Sequence, residues 1–362
     1  MAWQGIEGHD AVVAQFVAAF ARDRVAGSYL FIGPAGIGKS TFAKKLAKSL
    51  LCESLRDGLV PCGVCASCVQ ADAGSHPDID TVEKPAERAT IPLETFIGDP
   101  EHRMREGLCW RLLLRPALGG RKVAIILDAD YLSAEAANCL LKTLEEPADR
   151  AVIILVGTAL ERQLPTIRSR CQIVRFRPLT ADNGAIVRRI LQAEAVLATQ
   201  PIDAATLQAC AEACDGSLHR ARLLLDPALT AFRNRLFALL AVRPLHGVEL
   251  ARETSALVDA AGKDAPPRRA RLKVVLEYAI EFFRTALRHD LTAALPADAA
   301  TADAIKAWAS GIDEPAEEAV EALQHTLNAL ESIDRNANLT ILIDAWTAFL
   351  ERPSFAQSSC FA

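Results

Sequence analysis

The sequence predicts an α/β fold for the first half of the chain, with a parallel β-sheet arranged around a phosphate-binding loop. Residues 33–40 read Gly-Pro-Ala-Gly-Ile-Gly-Lys-Ser and match the G-x-x-x-x-G-K-[ST] pattern at every fixed position. Apolar runs at 28–32, 122–128 and 151–156 alternate with segments of helical period, which predicts parallel strands with helices on both faces. Beyond Pro178 the pattern is helical throughout.

The phosphate-binding loop combines a flexible backbone with one cation and one hydroxyl. Its glycines let successive backbone N–H groups and the start of the next helix point at a polyphosphate. In this pattern Lys39 reaches the β- and γ-phosphates, and Ser40 holds Mg²⁺ through its hydroxyl. The alternative is a glycine-rich turn that binds nothing. The expected nucleotide contacts in the loop are Gly33, Pro34, Ala35, Gly36, Ile37, Gly38, Lys39 and Ser40.

The first elements follow from the spacing of apolar residues. Ser28–Ile32 is rich in aromatic and β-branched residues and runs into the loop as a strand. After the loop, Phe42, Leu46 and Leu50 recur every four residues among lysines, which predicts an amphipathic helix opening at Ser40. A leading helix is predicted by the helical spacing of Val12, Val13, Phe16, Val17 and Phe20.

Four cysteines follow this helix with the spacing C-x9-C-x2-C-x2-C, at Cys52, Cys62, Cys65 and Cys68. Thiolates this close in sequence suit tetrahedral Zn²⁺, which can replace a hydrophobic core in a loop-rich segment. A redox dithiol and unrelated buried cysteines are the alternatives. We expect a structural zinc, because a closed four-thiolate site leaves no open position for catalysis.

Further along the chain, buried strands are predicted at regular intervals. Residues 76–80 predict a turn that leads into a strand, whereas 83–120 are polar, carry prolines and allow no assignment. The continuous apolar runs at 122–128 and 151–156 are typical of buried parallel strands. Residues 173–176 predict one more strand.

One helix is predicted between the two long apolar runs, with Ser133 as its N-cap and Pro147 ending it. The helical half divides into a short block and a longer, alanine- and leucine-rich block. The last residues are rich in Ser and Ala and are expected to be disordered. The predicted boundaries are 1–177, 178–227, 228–352 and 353–362.

Composition limits the classes of function. A chain of 362 residues is too long for one ordinary core, so two or three domains are expected. The net charge of −5 argues against a surface coated in basic residues for DNA. No apolar run approaches membrane-spanning length, and the acidic residues Glu7 and Asp10 do not fit a signal peptide, so we expect a cytoplasmic protein without a membrane partner.

Four stretches together resemble one protein family. They are the loop at 33–40, the cysteine knuckle at 52–68, Leu-Leu-Lys-Thr-Leu-Glu-Glu-Pro at 140–147 and Ser-Arg-Cys at 169–171. This set resembles the bacterial clamp-loader subunits of the AAA+ class, the gamma/tau and delta-prime subunits of DNA polymerase III. The resemblance covers roughly residues 3–226.

The remainder of the chain is matched only by architecture and by Asn336-Ala337-Asn338. The resemblance implies ATP with Mg²⁺ as ligand. It also implies an AAA+ domain, a small helical lid and an all-α collar that oligomerises.

The resemblance also implies a role for Arg170 in the Ser-Arg-Cys triplet. In the family this arginine reaches the nucleotide bound by a neighbouring subunit, where a fixed guanidinium stabilises charge on the γ-phosphate. The alternative is a structural arginine at the start of a strand. An interface arginine of this kind is expected to be solvated in the isolated chain.

The acidic site departs from the family, whose second strand ends in Asp-Glu. Counting back from Asn138 puts Asp128 at the Glu position and Leu127 at the Asp position. A gap of one residue instead puts Asp128 at the Asp position, which supports Mg²⁺ in the family, and Ala129 at the Glu position, which activates water. Either way one carboxylate is absent, so we expect impaired hydrolysis while nucleotide binding persists.

Two further positions are implied to sense the nucleotide. Thr158 occupies the place of the first sensor, whose hydroxyl would meet the γ-phosphate. The second sensor is usually an arginine after Gly-Ser-Leu, but here His219 takes that position and Arg220 follows it. A histidine that is mostly neutral at pH 7 replaces a permanent charge poorly.

The first hypothesis is therefore a delta-prime subunit that belongs to the DNA polymerase III holoenzyme. It would assemble with gamma/tau and delta subunits in a hetero-pentamer that loads the sliding clamp onto primed DNA, with weak or absent ATPase activity of its own. A gamma/tau ATPase subunit is the second hypothesis. The third is a zinc-dependent nucleic-acid binding module, although the only basic stretch, at 268–273, also fits a solvated helix start.

Overall fold

The computed structural model describes residues 3–103, 105–118, 120–180, 184–197, 202–262, 264–296, 298–310, 312–335 and 337–352. The chain forms two compact units. The first comprises residues 1–85 and 90–225, and the second comprises residues 86–89 and 226–362. The predicted disordered tail at 353–362 and the family-like Asn336 lie outside the described residues.

A five-stranded parallel sheet forms the centre of the first unit, with the strand order β2-β3-β4-β1-β5. The strands are β1 (Ser28–Ile32), β2 (Ile79–Val82), β3 (Lys122–Ile126), β4 (Ala151–Gly157) and β5 (Gln172–Arg175). Strands β1, β3 and β4 are buried along their whole length, as their continuous apolar sequences predict.

The register of the sheet determines which residues meet at its carboxyl edge. Ile32, the last residue of β1, lies opposite Gly157 of β4 and Arg175 of β5. The phosphate loop therefore leaves β1 between Thr158 and Phe176. Ligands of parallel α/β sheets bind at this edge.

Helices cover both faces of the sheet. Those of the first unit are α1 (Asp10–Ala21), α2 (Lys39–Leu51), α3 (Ala66–Asp72), α4 (Glu94–Ile97), α5 (Gly107–Leu113), α6 (Ala134–Glu145), α7 (Pro165–Arg168), α8 (Ala185–Leu197), α9 (Ala204–Ala213) and α10 (Leu218–Leu225). One face packs on an aromatic cluster that includes Phe16, Phe31 and Phe42. The other face packs on α4, α5 and α6 through an aliphatic cluster.

The helices α8, α9 and α10 pack on one another around a small core of their own. They belong to the first unit and correspond to the segment predicted to be a lid. The division of the chain at 177, 227 and 352 stays a prediction.

The second unit is helical in all its described elements. They are α11 (Pro227–Ala241), α12 (Gly247–Asp259), α13 (Ala265–Thr292), α14 (Ala299–Ala309), α15 (Pro315–Asp334) and α16 (Leu339–Leu350). Its largest fully buried side chains are Trp308, Trp346 and Phe282. Among the helices described, none is long and apolar enough to cross a membrane.

The predicted fold class is confirmed, with a parallel sheet and flanking helices followed by an all-α part. Ser133 caps α6 as expected, because its hydroxyl oxygen accepts a 3.1 Å hydrogen bond from the Ala136 amide. The segment at 83–120, which allowed no assignment, contains the short helices α4 and α5.

Candidate nucleotide-binding site and cysteine cluster

The phosphate loop connects the end of β1 to the start of α2 at Lys39. The backbone has a positive φ of 74° at Gly36 and 94° at Gly38. Side chains with a Cβ rarely adopt this conformation, so the loop geometry requires glycine at both positions. Strand, loop and helix therefore have the order and conformation that a polyphosphate needs.

The ammonium group of Lys39 lies inside the loop. Its Nζ donates to the carbonyl oxygens of Gly33 and Pro34, each at 2.6 Å. Burial lowers the pKa of Lys39 to about 8, and the negative charge of Asp130 opposes this shift. Polyphosphate binding would have to compete with the two carbonyls for the ammonium, although the gain from a charged partner is larger.

The lid helices contact the phosphate loop directly. The Leu218 amide donates to the Gly36 carbonyl at 3.0 Å, and the Ser217 hydroxyl donates to the Ala35 carbonyl at 3.1 Å. A cavity of about 390 Å³ lies between the loop, the ends of β3 and β4, and α10. Polar side chains that line it are Lys39, Ser40, Thr41, Asp128, Asp130, Tyr131, Thr158 and Arg222.

Asp128 follows β3 and faces the end of the neighbouring strand β2. Its Oδ2 accepts a long hydrogen bond of 3.4 Å from the Lys84 amide. Burial raises the pKa of Asp128, and the neighbouring carboxylates of Glu83 and Asp130 add to the shift. Asp128 therefore lines the cavity but is directed toward the end of β2.

Asp130 is a second carboxylate in the same cavity. Its two oxygens accept the Thr158 amide at 2.9 and 3.1 Å, the Thr158 hydroxyl at 2.6 Å and the Gln163 amide group at 2.5 Å. The consecutive Asp-Glu pair of the family is incomplete, as the sequence indicates. The backbone turn after Asp128 nevertheless brings a second carboxylate, Asp130, to the cavity.

Arg170 forms an ion pair with Glu145 at the end of α6. Its Nε donates to Glu145 Oε1 at 2.5 Å, and its Nη1 donates to the Thr166 carbonyl at 2.9 Å. The expected solvation of this arginine is only partial, because 28% of the side chain is exposed. The pair joins two of the stretches that carried the family resemblance, 140–147 and 169–171.

The four clustered cysteines converge on one point. Their sulfur atoms all lie within 4.8 Å of one another, and Cys62 and Cys68 are 4.0 Å apart. Zn–S bonds of about 2.3 Å in a tetrahedron place sulfurs roughly 3.8 Å apart, so the donor set fits zinc. Backbone N–H groups of Val64 and Cys65 lower the pKa of Cys62 to about 6, which favours the thiolate.

Comparison with known proteins identifies the family. Residues 8–180 match the family model described as DNA polymerase III, delta subunit. The delta-prime subunit of DNA polymerase III from Pseudomonas aeruginosa is 39% identical over 150 residues, which are 41% of this chain and 43% of that protein. The delta-prime subunit from Bacillus subtilis is 37% identical over 158 residues, which are 44% of each chain.

The matched part of this chain is similar to the clamp-loader subunits of DNA polymerase III. The tau subunit from Bacillus subtilis is 31% identical over 231 residues, which are 63% of this chain and 38% of that protein. The match to each of these relatives spans less than half of the relative's length. A solved gamma subunit-related protein from Thermotoga maritima covers 94% of this chain and 98% of its own, at 16% identity and a TM-score of 0.37.

The arginine that lines the cavity is Arg222 of α10, and not Arg220, which the sequence implied. Arg222 lines the cavity, where Glu194 of α8 accepts from its Nε at 3.0 Å and its Nη2 at 2.6 Å. Arg220 instead pairs with Asp215 at 2.9 Å, and His219 packs over Gly36. Arg222 lies one helical turn after His219 on α10, and this spacing in the sequence indicates that both residues share one face of the helix.

His9 is a second residue that the sequence did not single out. It is 4% exposed, and its Nε2 lies 2.8 Å from the Ile37 carbonyl of the loop. Because a carbonyl only accepts, Nε2 must carry the proton. Burial lowers the pKa of His9, and the Phe176 ring packs edge-on against it. No motif marks this residue, because the contact joins α1 to a loop in another part of the chain.

Proposed function

We propose that this chain is the delta-prime subunit of a DNA polymerase III clamp loader and supplies Arg170 to the nucleotide of a neighbouring subunit. The observation that carries the proposal is the Arg170–Glu145 pair. Three hydrogen bonds to Glu145, Thr166 and Ser169 fix the guanidinium in place before any partner arrives. An arginine finger is effective when its positive charge is positioned before the reaction begins, so the fixed guanidinium supports this role for Arg170.

The pair with Glu145 leaves Arg170 available to a phosphate. The Glu145 side chain is 48% exposed, and exposed ion pairs contribute about 0–1 kcal/mol. Bidentate contacts between arginine and phosphate are among the stronger charge-assisted hydrogen bonds. A γ-phosphate presented by a neighbouring subunit can therefore displace Glu145 at low cost, while the hydrogen bonds to Thr166 and Ser169 keep the guanidinium in place.

The acidic site supports a subunit with weak hydrolysis of its own. Asp128 faces the Lys84 amide, and Asp130 already accepts hydrogen bonds from Thr158 and Gln163. The donors around Asp130 and the direction of Asp128 toward the Lys84 amide make both carboxylates poorly suited to activate water. The gamma/tau alternative is favoured by the intact phosphate loop, and it requires robust ATPase activity from the purified chain.

We propose one structural zinc held by the four clustered cysteines. A closed set of four thiolates satisfies the ion and gives the loop between α2 and α3 a rigid centre. Zinc there stabilises the insertion and takes no part in phosphate chemistry.

The proposed partners follow from the family of the relatives. They are the gamma/tau and delta subunits in a hetero-pentamer, and through this complex the sliding clamp and primed DNA. A replication role of this kind places the protein in the bacterial cytoplasm.

The test uses the clamp loader reconstituted with gamma/tau and delta subunits. Arg170→Ala should assemble normally and lower DNA-stimulated ATPase and clamp loading by roughly a thousandfold, as loss of an arginine finger does. Arg168→Ala is the matched control, because this exposed arginine lies only two residues earlier, at the end of the short helix α7. Equal rates from both well-assembled variants and the wild type would refute the proposed role.

A further inference from the structure

We propose that Asp130 makes the nucleotide site of this chain prefer a nucleoside diphosphate over a triphosphate. The inference rests on the proposed binding of nucleotide at the phosphate loop. In this proposal the Asp130 carboxylate is an internal anion on the side of the cavity where a γ-phosphate would bind. Neither the phosphate-loop pattern nor the family resemblance points to this residue.

The donors that would meet a γ-phosphate are already used by Asp130. The Thr158 hydroxyl donates to Oδ2 at 2.6 Å, and the Thr158 amide donates to both carboxylate oxygens. Fully ionised phosphate oxygens only accept hydrogen bonds, so they cannot share these protons with a carboxylate. A γ-phosphate at Thr158 must therefore displace Asp130 rather than add to it.

The position of Asp130 relative to Lys39 indicates which phosphate it opposes. Both side chains line the same cavity, and the charge of Asp130 acts on the Lys39 ammonium. Lysines at this place in a phosphate loop contact the β- and γ-phosphates. A diphosphate ends at the β-phosphate, whereas a triphosphate brings further negative charge toward the carboxylate, which is repulsive at short range in a partly buried site.

The surroundings hold Asp130 in this position. Gln163 is only 3% exposed and donates to Oδ1 at 2.5 Å. A Cβ added at Gly157 would lie 2.7 Å from Gln163 Nε2 and 2.8 Å from Asp130 Oδ1, so the group is closely packed. Rotation of the carboxylate away from this position would break its hydrogen bonds to Thr158 and Gln163.

The same contacts argue against Asp130 as a ligand for Mg²⁺. An ionised carboxylate has about four lone-pair positions, and Asp130 makes four hydrogen-bond contacts with Thr158 and Gln163. A metal ligand must keep at least one oxygen open to the ion. Neutralising Asp130 should therefore improve triphosphate binding, whereas loss of a magnesium ligand would weaken it.

The experiment measures Kd for ADP and ATP, each with Mg²⁺, by calorimetry on the full chain. The wild type should bind ADP more tightly than ATP. Asp130→Asn removes the charge and should shift the ratio of the two constants toward ATP by about tenfold, the range of one hydrogen bond to a charged group. Asp149→Asn is the control for net charge. It removes an exposed carboxylate just before β4, at the opposite end of the sheet, and should leave the ratio unchanged.

A second variant covers the case in which Asp130→Asn does not fold. Gln163→Met keeps the volume of the side chain but removes the donor to Asp130, so it should shift the ratio in the same direction by a smaller factor. Wild-type protein that prefers ATP, or Asp130→Asn protein with weaker ATP binding, would overturn the proposal. Absence of binding by either nucleotide would also overturn it, while normal assembly and Arg170-dependent activity in the reconstituted loader would leave the proposed delta-prime function standing.

Discussion

The Leu218 amide donates a 3.0 Å hydrogen bond to the Gly36 carbonyl, and this contact ties the lid helix α10 to the phosphate loop. Gly36 also leaves no room for a side chain against the lid. A Cβ built there would lie 2.4 Å from His219 Cβ and 2.7 Å from Ser217 Oγ. The conformation of the loop and the position of the lid are therefore coupled at Gly36, next to the Ser217–Ala35 hydrogen bond.

We expect Gly36→Ala to destabilise the chain more than Gly38→Ala does. Both substitutions place a Cβ at positive φ, which costs about 1–3 kcal/mol. Only position 36 adds a clash with the lid, because a Cβ at position 38 meets no atom within 4 Å. Chemical unfolding gives the two free energies, and limited proteolysis shows whether α10 becomes accessible. Equal losses in both variants would mean that the lid does not depend on this contact.

The sequence predicted the elements that are determined locally. Strand β1, helix α2 and the Ser133 cap follow from apolar spacing and from a short-range hydrogen bond. The contacts that shape the site join distant parts of the chain. Arg170 is 25 residues from Glu145, and Thr158 is 28 residues from Asp130. A single sequence contains no periodic signal for such pairs, so their partners became visible only in the fold.

Asp130 is another residue whose place in the site could not be predicted from the sequence. The family pattern is a consecutive Asp-Glu pair, and in the sequence only Asp128 can belong to such a pair. The left-handed backbone at Asp128, with φ 56° and ψ 38°, turns the chain sharply and brings Asp130 to the cavity. Non-glycine residues adopt that conformation uncommonly, although Asp does so more readily than most.

Zinc content is expected to be one ion per chain. Cys62→Ser should lose most of the metal and make residues 52–75 more sensitive to protease, because a structural zinc site contributes directly to the folding of the segment that holds it. Cys139→Ser should keep the metal, since this cysteine lies on α6 and does not belong to the cluster. Metal analysis and proteolysis of the purified proteins give both results. Much less than one zinc in wild-type protein with freely alkylated thiols would contradict the expectation.

The stability of the chain should fall as the pH drops below about 6.5, the ordinary pKa of histidine. Burial lowers the pKa of His9, and also those of His76 and His325, so the unfolded chain binds protons that the folded chain does not. His9→Gln can still donate to the Ile37 carbonyl but does not titrate. Its free energy of unfolding should therefore vary less between pH 7.5 and 5.5 than that of the wild type. An unchanged slope would show that His9 does not contribute.

The purified chain is expected to hydrolyse ATP negligibly. Asp130 is engaged by neighbouring donors and Asp128 is directed toward the Lys84 amide, so we expect little activation of water at this site. Lys39→Ala should weaken nucleotide binding but hardly change a turnover that is already minimal. Binding titrations and a steady-state ATPase assay separate the two effects. Robust turnover abolished by Lys39→Ala would support a gamma/tau role instead.

The last prediction separates the part that Arg170 plays in the isolated chain from its part in the complex. Glu145→Gln keeps the shape of the partner but removes its charge, so Arg170 loses an ion pair while its bond to the Thr166 carbonyl remains. Because the pair is partly exposed, the free energy of unfolding should change by no more than about 1 kcal/mol. In the reconstituted loader, Glu145→Gln should keep most of the ATPase activity.

Arg170→Lys should fail in the loader although it keeps the charge. A lysine presents a compact ammonium on a flexible stem, whereas the planar guanidinium offers several donors with fixed geometry to Glu145 and then to phosphate. Activity close to that of Arg170→Ala is therefore expected, with normal assembly by gel filtration. If Arg170→Lys were as active as the wild type, simple charge would suffice. If Glu145→Gln were as inactive as Arg170→Ala, Arg170 would act through its pair with Glu145 and not through the neighbouring nucleotide.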